Sequence, residues 1–350
     1  MSRLLLVAFL VTSCGDNLNP IEPWILEEVP PADGFWIRTP EFPVASGEEL
    51  QDCYFFKVPD LDHGNDLSID RTTLALNPGS HHMTVFRVKT IVGLDPATAT
   101  PADMGSVQGS VIHGADNIQC WKSANWADWP LVANSQQSAL DQQTLDWPLP
   151  DGVVAKFHPG ELLMLQIHYV NATDQSTPWV GRGGINLYRS HEDDTIELGT
   201  LFATQQSIRV CRSNPTPHYS GACAMPPGVH TIVGANGHFH SRGTEFQMWA
   251  WDGVSTTKPD DSQRFYDNTN WSEPIMKTGI DVTLPKIGGV WWQCDYQWSE
   301  PEAGCDAVNA ADPMHANDCC YTFGPKVETS EHCNAFVYYY PKADGDVACF

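Results

Sequence analysis

The sequence predicts an all-β protein of two domains. Its 350 residues include 26 prolines and 27 glycines, and its apolar runs are short and bounded by Pro, Gly and Asp. This pattern indicates short strands joined by turns, because amphipathic helices need longer runs with a 3.6-residue period. A hydrophobic fraction of 42% and 13 tryptophans are typical of a globular chain. Because 350 residues are many for a single core, we expect two domains.

Strands are expected wherever apolar residues alternate or run continuously between turn signals. These segments are 47–59, 72–92, 161–170, 185–188, 195–202, 229–233, 245–251, 280–284, 289–294 and 334–340. The stretch 95–149 lacks clear periodicity, and we expect long loops with one short strand there. We place the boundary near residues 190–199, which gives domains at 33–194 and 195–350.

The N-terminal residues resemble a bacterial export signal. A basic residue precedes a short apolar run at 4–11, and the sequence VTSC at 11–14 is similar to a lipobox, in which the cysteine becomes lipidated. We expect residues 1–13 to be a signal peptide, and residues 14–32 to be a tether that begins with the lipidated Cys14. The chain would then be anchored in the cell envelope, in the periplasm or at the outer membrane.

The charge of the chain limits its partners. The formal net charge is −24, from 43 acidic and 19 basic residues. Such a charge excludes nucleic acid and an anionic membrane surface as partners, so we expect membrane contact only through the lipid anchor. The acidic residues are scattered, which indicates solubility and not a general affinity for cations. We expect a monomer.

The cysteines predict disulfide bonds. Apart from Cys14 there are ten: Cys53, Cys120, Cys211, Cys223, Cys294, Cys305, Cys319, Cys320, Cys333 and Cys349. An even number in an oxidising compartment indicates up to five bridges, although their pairing does not follow from spacing. A thiolate metal cluster around Cys319 and Cys320 is the alternative, but the CxxC-like spacing that it needs is missing.

The histidines form motifs that are typical of metal ligands. His238 and His240 lie in an expected strand, so both face one side while Phe239 faces the other. The simpler alternative is a pair of surface histidines.

A second motif contains three more histidines. His81 and His82 follow a Pro-Gly turn, and both can reach one ion only at a strand end or a β-bulge. His168 lies in the apolar run 161–170, where an imidazole must be hydrogen-bonded or bound. Three histidines without a thiolate suit copper or zinc. Two unrelated histidines at a turn remain the alternative for His81 and His82.

The order of these motifs resembles the copper type II, ascorbate-dependent monooxygenases, the family of peptidylglycine α-hydroxylating monooxygenase and dopamine β-monooxygenase. The matching motifs are His-His-Met, Leu-Gln-Ile-His-Tyr, His-x-His and a Cys-Asn closing strand, within residues 45–350. The resemblance implies two jelly-roll-like antiparallel β-sandwich domains that face each other across a cleft. It also implies two coppers per chain, with O2 and ascorbate or another electron donor as co-substrates.

By this resemblance, His81, His82 and His168 hold an electron-transfer copper, and Gln166 borders that site. His238 and His240 begin the oxygen-activating site. The family has a methionine as its third ligand, whereas this chain has His332 in that place. Imidazole is less soft than a thioether, so the change favours Cu(II) relatively or admits zinc.

Two further departures concern the substrate. The family members that bind a peptide carboxylate have an arginine and a tyrosine where this chain has Asn236 and Phe336. We therefore expect hydroxylation of a C–H bond in a substrate without a peptide carboxylate. The alternatives are an exported copper- or zinc-binding envelope protein without oxygenase activity, and a purely structural lipoprotein.

The resemblance also implies the disulfides Cys53–Cys120, Cys223–Cys349 and Cys294–Cys333. It leaves Cys211, Cys305, Cys319 and Cys320 without counterparts. The histidines that lack a second local ligand are expected to be structural or at the surface; they are His63, His113, His158, His191, His218, His230 and His315.

Overall fold

The computed structural model of the protein describes residues 26–77, 80–88, 110–113, 130–135, 144–171, 178–272, 275–302, 304–309, 318–324 and 326–350. Within these residues the all-β prediction is confirmed, with strands that pair mostly antiparallel. The expected signal peptide, the lipidated Cys14 and the tether up to residue 25 lie outside the described residues. None of the described helices is long and apolar enough to span a membrane.

The strands of the first half precede residue 198. They are β1 (Gly34–Arg38), β2 (Phe42–Val44), β3 (Glu49–Lys57), β4 (Leu67–Leu76), β5 (Ser80–Arg87), β6 (Ser110–His113), β7 (Leu131–Ser135), β8 (Thr144–Pro148), β9 (Val153–Phe157), β10 (Leu162–Val170), β11 (Trp179–Gly181), β12 (Gly183–Arg189) and β13 (Ile196–Glu197).

The strands of the second half follow residue 198. They are β14 (Gly199–Thr204), β15 (Arg209–Val210), β16 (His218–Ala224), β17 (Thr231–His238), β18 (Gly243–Trp251), β19 (Arg264–Asn268), β20 (Lys277–Thr283), β21 (Gly289–Tyr296), β22 (Tyr321–Phe323), β23 (Ser330–Glu331), β24 (Asn334–Tyr340) and β25 (Val347–Cys349). A 3-10 helix (Asp261–Gln263) and a short helix α1 (Cys305–Asn309) interrupt them.

Each half is a sandwich of two larger sheets. In the first half, the sheet β1-β12-β4-β9-β13, with β8 beside β4, packs on the sheet β6-β3-β10-β5-β7. Their core contains Ile69 and Ile185 from one sheet and Val85 and Ile167 from the other. In the second half, β20-β17-β24-β14-β25 packs on β16-β21-β18-β19. Among the described residues, no sheet combines strands from both halves.

The stretch 95–149 differs from its prediction. It contains three described strands, β6, β7 and β8, where we expected one short strand among long loops. These strands lie beside β3, β5 and β4 respectively, where a strand pairs with one neighbour only. Such strands need less apolar alternation than central ones, which explains why the sequence pattern is weak.

The two halves are in direct contact. A third apolar cluster joins Phe55 and Met164 of the first half to Phe202, Val233 and Phe336 of the second. The resemblance implies a cleft at this place, but here the described residues of the two halves are packed together. The reason is that the central strands carry large apolar side chains on both faces, and these are stabilised by burial.

Strand β10 explains this arrangement residue by residue. Leu165 and Ile167 point into the sandwich core. The alternate residues Met164, Gln166 and His168 are also buried, and Met164 belongs to the cluster between the halves. The continuous apolar run that indicates burial on both faces therefore reflects one face in the core and one at the interface.

Four disulfides join the described cysteines. Cys223–Cys349 and Cys294–Cys333 are the pairs that the resemblance implies. The remaining bridges are Cys211–Cys320 and Cys305–Cys319, for which the sequence left the pairing open. Cys53 is also disulfide-bonded, and its expected partner Cys120 lies outside the described residues. Several bridges are typical of a protein that matures in an oxidising compartment.

Candidate metal centre

A β-bulge at the start of β5 brings two adjacent histidines to the same region. His82 lies opposite His168 in the β5–β10 ladder, and Ser80 lies opposite Tyr169, so His81 is an extra residue in β5. The ring centroids of His81 and His82 lie 5.1 and 5.0 Å from that of His168. The bulge relaxes the pleat that would otherwise turn neighbouring side chains to opposite faces.

The other histidines lie where β17 ends and β24 begins. His238 is the last residue of β17, and His240 lies in the turn that follows. Phe239 between them is fully buried, with its ring centroid 6.0 Å from that of Phe246 in the core. The ring of His332, which precedes β24, lies 5.0 Å from His238 and 4.3 Å from His240. Phe239 thus anchors the pair as the sequence predicts.

These two groups meet at the interface between the halves. The ring centroid of His81 lies 5.0 Å from that of His238 and 5.6 Å from that of His240, and His82 is 4.9 Å from His238. We call the six residues the histidine cluster; they are His81, His82, His168, His238, His240 and His332. Each is at most 6% exposed. All six sequence-predicted ligands therefore lie together in one buried place.

Within the cluster, two groups of three have ligand nitrogens within 4.8 Å of one another. The first group is His81, His82 and His168, and the second is His81, His238 and His240. His81 belongs to both. His332 lies beside the second group, and its Nδ1 is hydrogen-bonded to Nε2 of His238 at 2.9 Å.

Several cluster nitrogens have the hydrogen bonding that metal ligands need. His168 donates from Nε2 to Glu49 at 2.9 Å, and its buried Nδ1 has no hydrogen-bond partner. His240 donates from Nδ1 to the carbonyl of Ser330 at 3.0 Å, which leaves its buried Nε2 without one. An acceptor on one ring nitrogen fixes the tautomer, so the lone pair of the other nitrogen is directed into the cluster.

Burial also keeps most of these imidazoles neutral. It lowers the pKa values of five cluster histidines, and for each of them a neighbouring imidazole lowers the pKa further. The pKa is about 4 for His240 and lies well below the ordinary value for His81, His82, His238 and His332. A neutral imidazole is the form that binds metal, because protonation removes the lone pair. The buried, unpaired nitrogens therefore fit a copper or zinc ion.

Glu49 connects the cluster to both halves of the protein. Its Oε1 accepts hydrogen bonds from Nε2 of His168 and from the backbone N–H of Val327, at 2.9 and 3.0 Å. Burial by itself raises the pKa of Glu49, but these two donors outweigh burial and hold the pKa below its ordinary value. The charged carboxylate therefore fixes the orientation of His168 and ties it to a loop of the second half.

Glu331 holds the turn that contains His240. Its fully buried carboxylate accepts the backbone N–H groups of His240 and Arg242 at 3.0 and 2.7 Å. Burial raises the pKa of Glu331 to about 8, although these donors act in the opposite direction. Arg242 in turn donates to the hydroxyl of Tyr321 at 2.8 Å. Because Glu331 precedes His332, the same residue fixes two histidines relative to each other.

The position of His332 is fixed from the other side as well. Its carbonyl accepts a hydrogen bond from the hydroxyl of Tyr296 at 2.6 Å, and the next residue forms the disulfide Cys294–Cys333. The ring of Phe323 lies 4.8 Å from the imidazole. Strand β21 is therefore covalently joined to the residue that follows this ligand position and precedes β24.

Two further side chains border the cluster. Gln166 accepts hydrogen bonds at Oε1 from Nε2 of His82 at 3.4 Å and from Thr84 at 3.3 Å. Its amide therefore contacts the first group of histidines. The ring centroid of Trp271 lies 6.1 Å from that of His81. No local pattern in the sequence links Trp271 to His81.

Asn236 and Phe336, which replace the family's substrate-binding arginine and tyrosine, contact other residues where the two halves meet. Asn236 accepts a hydrogen bond from Asn134 of the first half at 3.0 Å, and both residues are buried. Phe336 packs in the interface cluster, 5.1 Å from Phe202. Of the remaining histidines, His230 is buried and His63, His158, His191 and His218 are exposed, while His315 and the side chain of His113 lie outside the described residues.

Other places in the described structure are weaker candidates. Cys211 and Cys320 lie near Asp318 in a metal-like group, but their sulfurs form a disulfide. A pocket of about 240 Å³ lies at the seam between the halves, and its charged residues include Arg87 and Lys342. Both are already engaged in ion pairs with glutamates. The histidine cluster is therefore the best candidate for a functional site.

Comparison with known proteins does not place the chain in a family. No family model and no curated protein matches it. Among solved structures, it is similar to a protein from Eubacterium rectale that is described as secreted, at 9% identity and a TM-score of 0.23, over 84% of this chain and 70% of that one. It is also similar to the major capsid protein P2 from bacteriophage PM2, at 8% identity and a TM-score of 0.22, over 77% and 98% of the two chains. TM-scores this low support no argument about fold or function.

Proposed function

We propose that the protein is a copper-dependent monooxygenase of the bacterial cell envelope. It would hydroxylate a C–H bond of a substrate without a peptide carboxylate, using O2 and a one-electron reductant such as ascorbate. The observation that carries this proposal is the convergence of six buried imidazoles on one centre between two β-sandwiches. The order of the ligand motifs along the chain, which resembles the copper type II monooxygenases, supports the oxygenase chemistry.

The ligand set favours a transition metal over the hard cations. The six candidate ligands are all imidazoles, which suit copper and zinc, whereas calcium and magnesium take oxygen ligands. Copper, when bound, supplies the one-electron redox chemistry that activation of O2 requires. Two bound coppers would be held by His81, His82, His168, His238, His240 and His332.

The side chains around the cluster orient the candidate ligands. Glu49 and the carbonyl of Ser330 keep a proton on the outer nitrogens of His168 and His240. Glu331 and Tyr296 hold the two segments that carry His240 and His332. The apolar interface around the cluster excludes water, which protects a reactive centre from side reactions.

The cell-envelope location rests on different residues. Four disulfides among the described cysteines fit an oxidising compartment. The lipobox-like sequence that ends at Cys14 supports a lipid anchor. Labelling with a radioactive or clickable fatty acid in a bacterial host tests the anchor, with Cys14→Ser as the matched control.

A second function is favoured by one specific observation. The cluster is closed, with no member more than 6% exposed, and His332 stands in the place of the family methionine. Both features suit an envelope protein that binds copper or zinc without oxygenase activity. In that case the protein would sequester or deliver metal.

Oxygen uptake separates the two functions. The purified apoprotein is loaded with copper, and ascorbate-dependent O2 consumption is compared between the parent, His240→Ala and His218→Ala. His218 is an exposed histidine of the same half and serves as the control. We expect uptake in the parent and the control and its loss in His240→Ala. Tight copper binding with equal uptake in all three proteins would favour the binding protein. Absence of both copper and zinc binding would refute both functions.

A further inference from the structure

We infer that the histidine cluster binds two copper ions as one coupled dinuclear centre in which His81 is shared: each ion binds one ring nitrogen of His81, and the remaining ring proton is released when the second ion binds. This inference rests on the proposed copper function and goes beyond it, because the resemblance implies two separate coppers on opposite sides of a cleft. The observation behind it is that His81 belongs to both groups of closely spaced ligand nitrogens.

The position of His81 supports a shared role. Its ring centroid lies 5.3 Å from that of His82 and 5.1 Å from that of His168, on the side of the first half. On the side of the second half, the distances are 5.0 Å to His238 and 5.6 Å to His240. The imidazole is therefore nearly equidistant from both pairs, so its position favours neither of them.

The spacing of the nitrogens is compatible with metal coordination. An imidazole nitrogen binds zinc, an ion that similar sites take, at about 2.0–2.1 Å, so two nitrogens on one such ion lie at most about 4 Å apart. The nitrogens in each group are within 4.8 Å of one another, so shifts of less than about 1 Å complete either group. The buried Nε2 of His81 has no hydrogen-bond partner that would have to be displaced.

Negative charge at the centre comes from two sources. Neutral imidazoles offer none, and unpaired cations are costly to bury. The carboxylate of Glu49 accepts a hydrogen bond from His168 and offsets charge beside the first group. The shared His81 is an anion once both of its ring nitrogens bind copper, so it offsets charge on both ions. Glu331 accepts the backbone N–H of His240 and holds that turn in place.

Through the shared ligand, the bound metal also links the two halves of the protein. His81 belongs to β5 of the first half, whereas His238 and His240 follow β17 in the second. An ion held by all three joins the sandwiches through coordination bonds, in addition to their apolar contact. Loss of His81 therefore affects both ions, while loss of His168 affects only the first group.

Copper stoichiometry and electron paramagnetic resonance test this inference without an activity assay. The apoproteins of the parent, His81→Ala, His168→Ala and the exposed control His158→Ala are titrated with copper, and the spin of the Cu(II) forms is integrated. We expect two coppers per chain in the parent and the control, with an integrated signal well below two spins. We expect His168→Ala to keep one tightly bound copper with a full spin, and His81→Ala to weaken both binding events at least tenfold.

Circular dichroism verifies folding, and His81→Asn replaces His81→Ala if alanine prevents it. Two coppers in the parent with two full, independent spins would overturn the inference and leave the proposed function standing. The same conclusion follows if His81→Ala loses a single copper and keeps the other at parental affinity. Absence of tight copper binding in the parent would overturn the proposed function as well.

Discussion

Glu49 provides a test of how the protein orients a metal ligand. Its Oε1 accepts hydrogen bonds from both His168 and Val327, and its side chain is 19% exposed. Glu49→Gln keeps an acceptor oxygen of the same shape and removes only the charge, whereas Glu49→Ala removes both hydrogen bonds. The two variants therefore separate the effect of charge from that of geometry.

The expected magnitude follows from these contacts. Loss of an outer partner of a metal-bound histidine weakens metal affinity by about 10- to 100-fold. Glu49→Gln retains the geometry, so we expect an effect near tenfold, or about 1.4 kcal/mol. Glu49→Ala also frees the imidazole of His168 to rotate or change tautomer, and we expect an effect near 100-fold, or about 2.7 kcal/mol.

Competition with a chromophoric Cu(I) chelator under anaerobic conditions measures both affinities. Glu161→Gln is the matched control, because Glu161 is a similarly buried carboxylate paired with Arg87 away from the cluster. This control should change stability without changing copper affinity. Parental affinity in Glu49→Ala would refute the claim that this carboxylate orients a metal ligand.

Three further predictions concern stability. Five cluster histidines have pKa values below the ordinary 6.5, about 4 for His240, whereas one carboxyl, Glu331, has its pKa raised to about 8 and acts in the opposite direction. Because the histidines outnumber this carboxyl, the unfolded chain binds more protons, and the free energy of unfolding of the apoprotein should fall as pH drops from 6.5 towards 4. Urea unfolding across this range checks it, and a flat profile would contradict it. Copper at 100 times its dissociation constant should stabilise the fold by about 2.7 kcal/mol, and an unchanged thermal midpoint on loading would contradict that. Replacing Cys294 and Cys333 by Ser should lower the free energy of unfolding by about 2–5 kcal/mol and also weaken copper binding. The same change at Cys305 and Cys319 should affect stability alone. Equal copper affinities in the two double variants would contradict this prediction.

Local patterns in the sequence predict much of the fold. Alternation and turn residues predict the central strands, because each of these strands has one face in a core. The weak pattern at 95–149 hides three strands, because outer strands gain their partners from elsewhere in the chain. The contact between the halves depends on surfaces that are distant in sequence. Spacing along a chain does not reveal how two sandwiches approach each other.

The candidate site was likewise predictable from the sequence only in part. His238, Phe239 and His240 form a local motif, so their shared orientation follows from residue spacing. Glu49 was missed, because the hydrogen bond to His168 joins residues 119 positions apart. Glu331 lies next to a predicted ligand, and an acidic residue at that place in an otherwise buried segment is a signal that could have marked it. The meeting of both histidine groups required the structure.

The most direct test of the central claim is a crystal structure of the copper-loaded protein with anomalous scattering measured at the copper edge. The histidine cluster should contain two anomalous peaks on either side of the His81 imidazole, one beside His168 and the other beside His240. Peaks located away from these histidines would contradict the proposed metal centre. Two peaks that lie far apart, with His81 bound to only one of them, would contradict the shared centre.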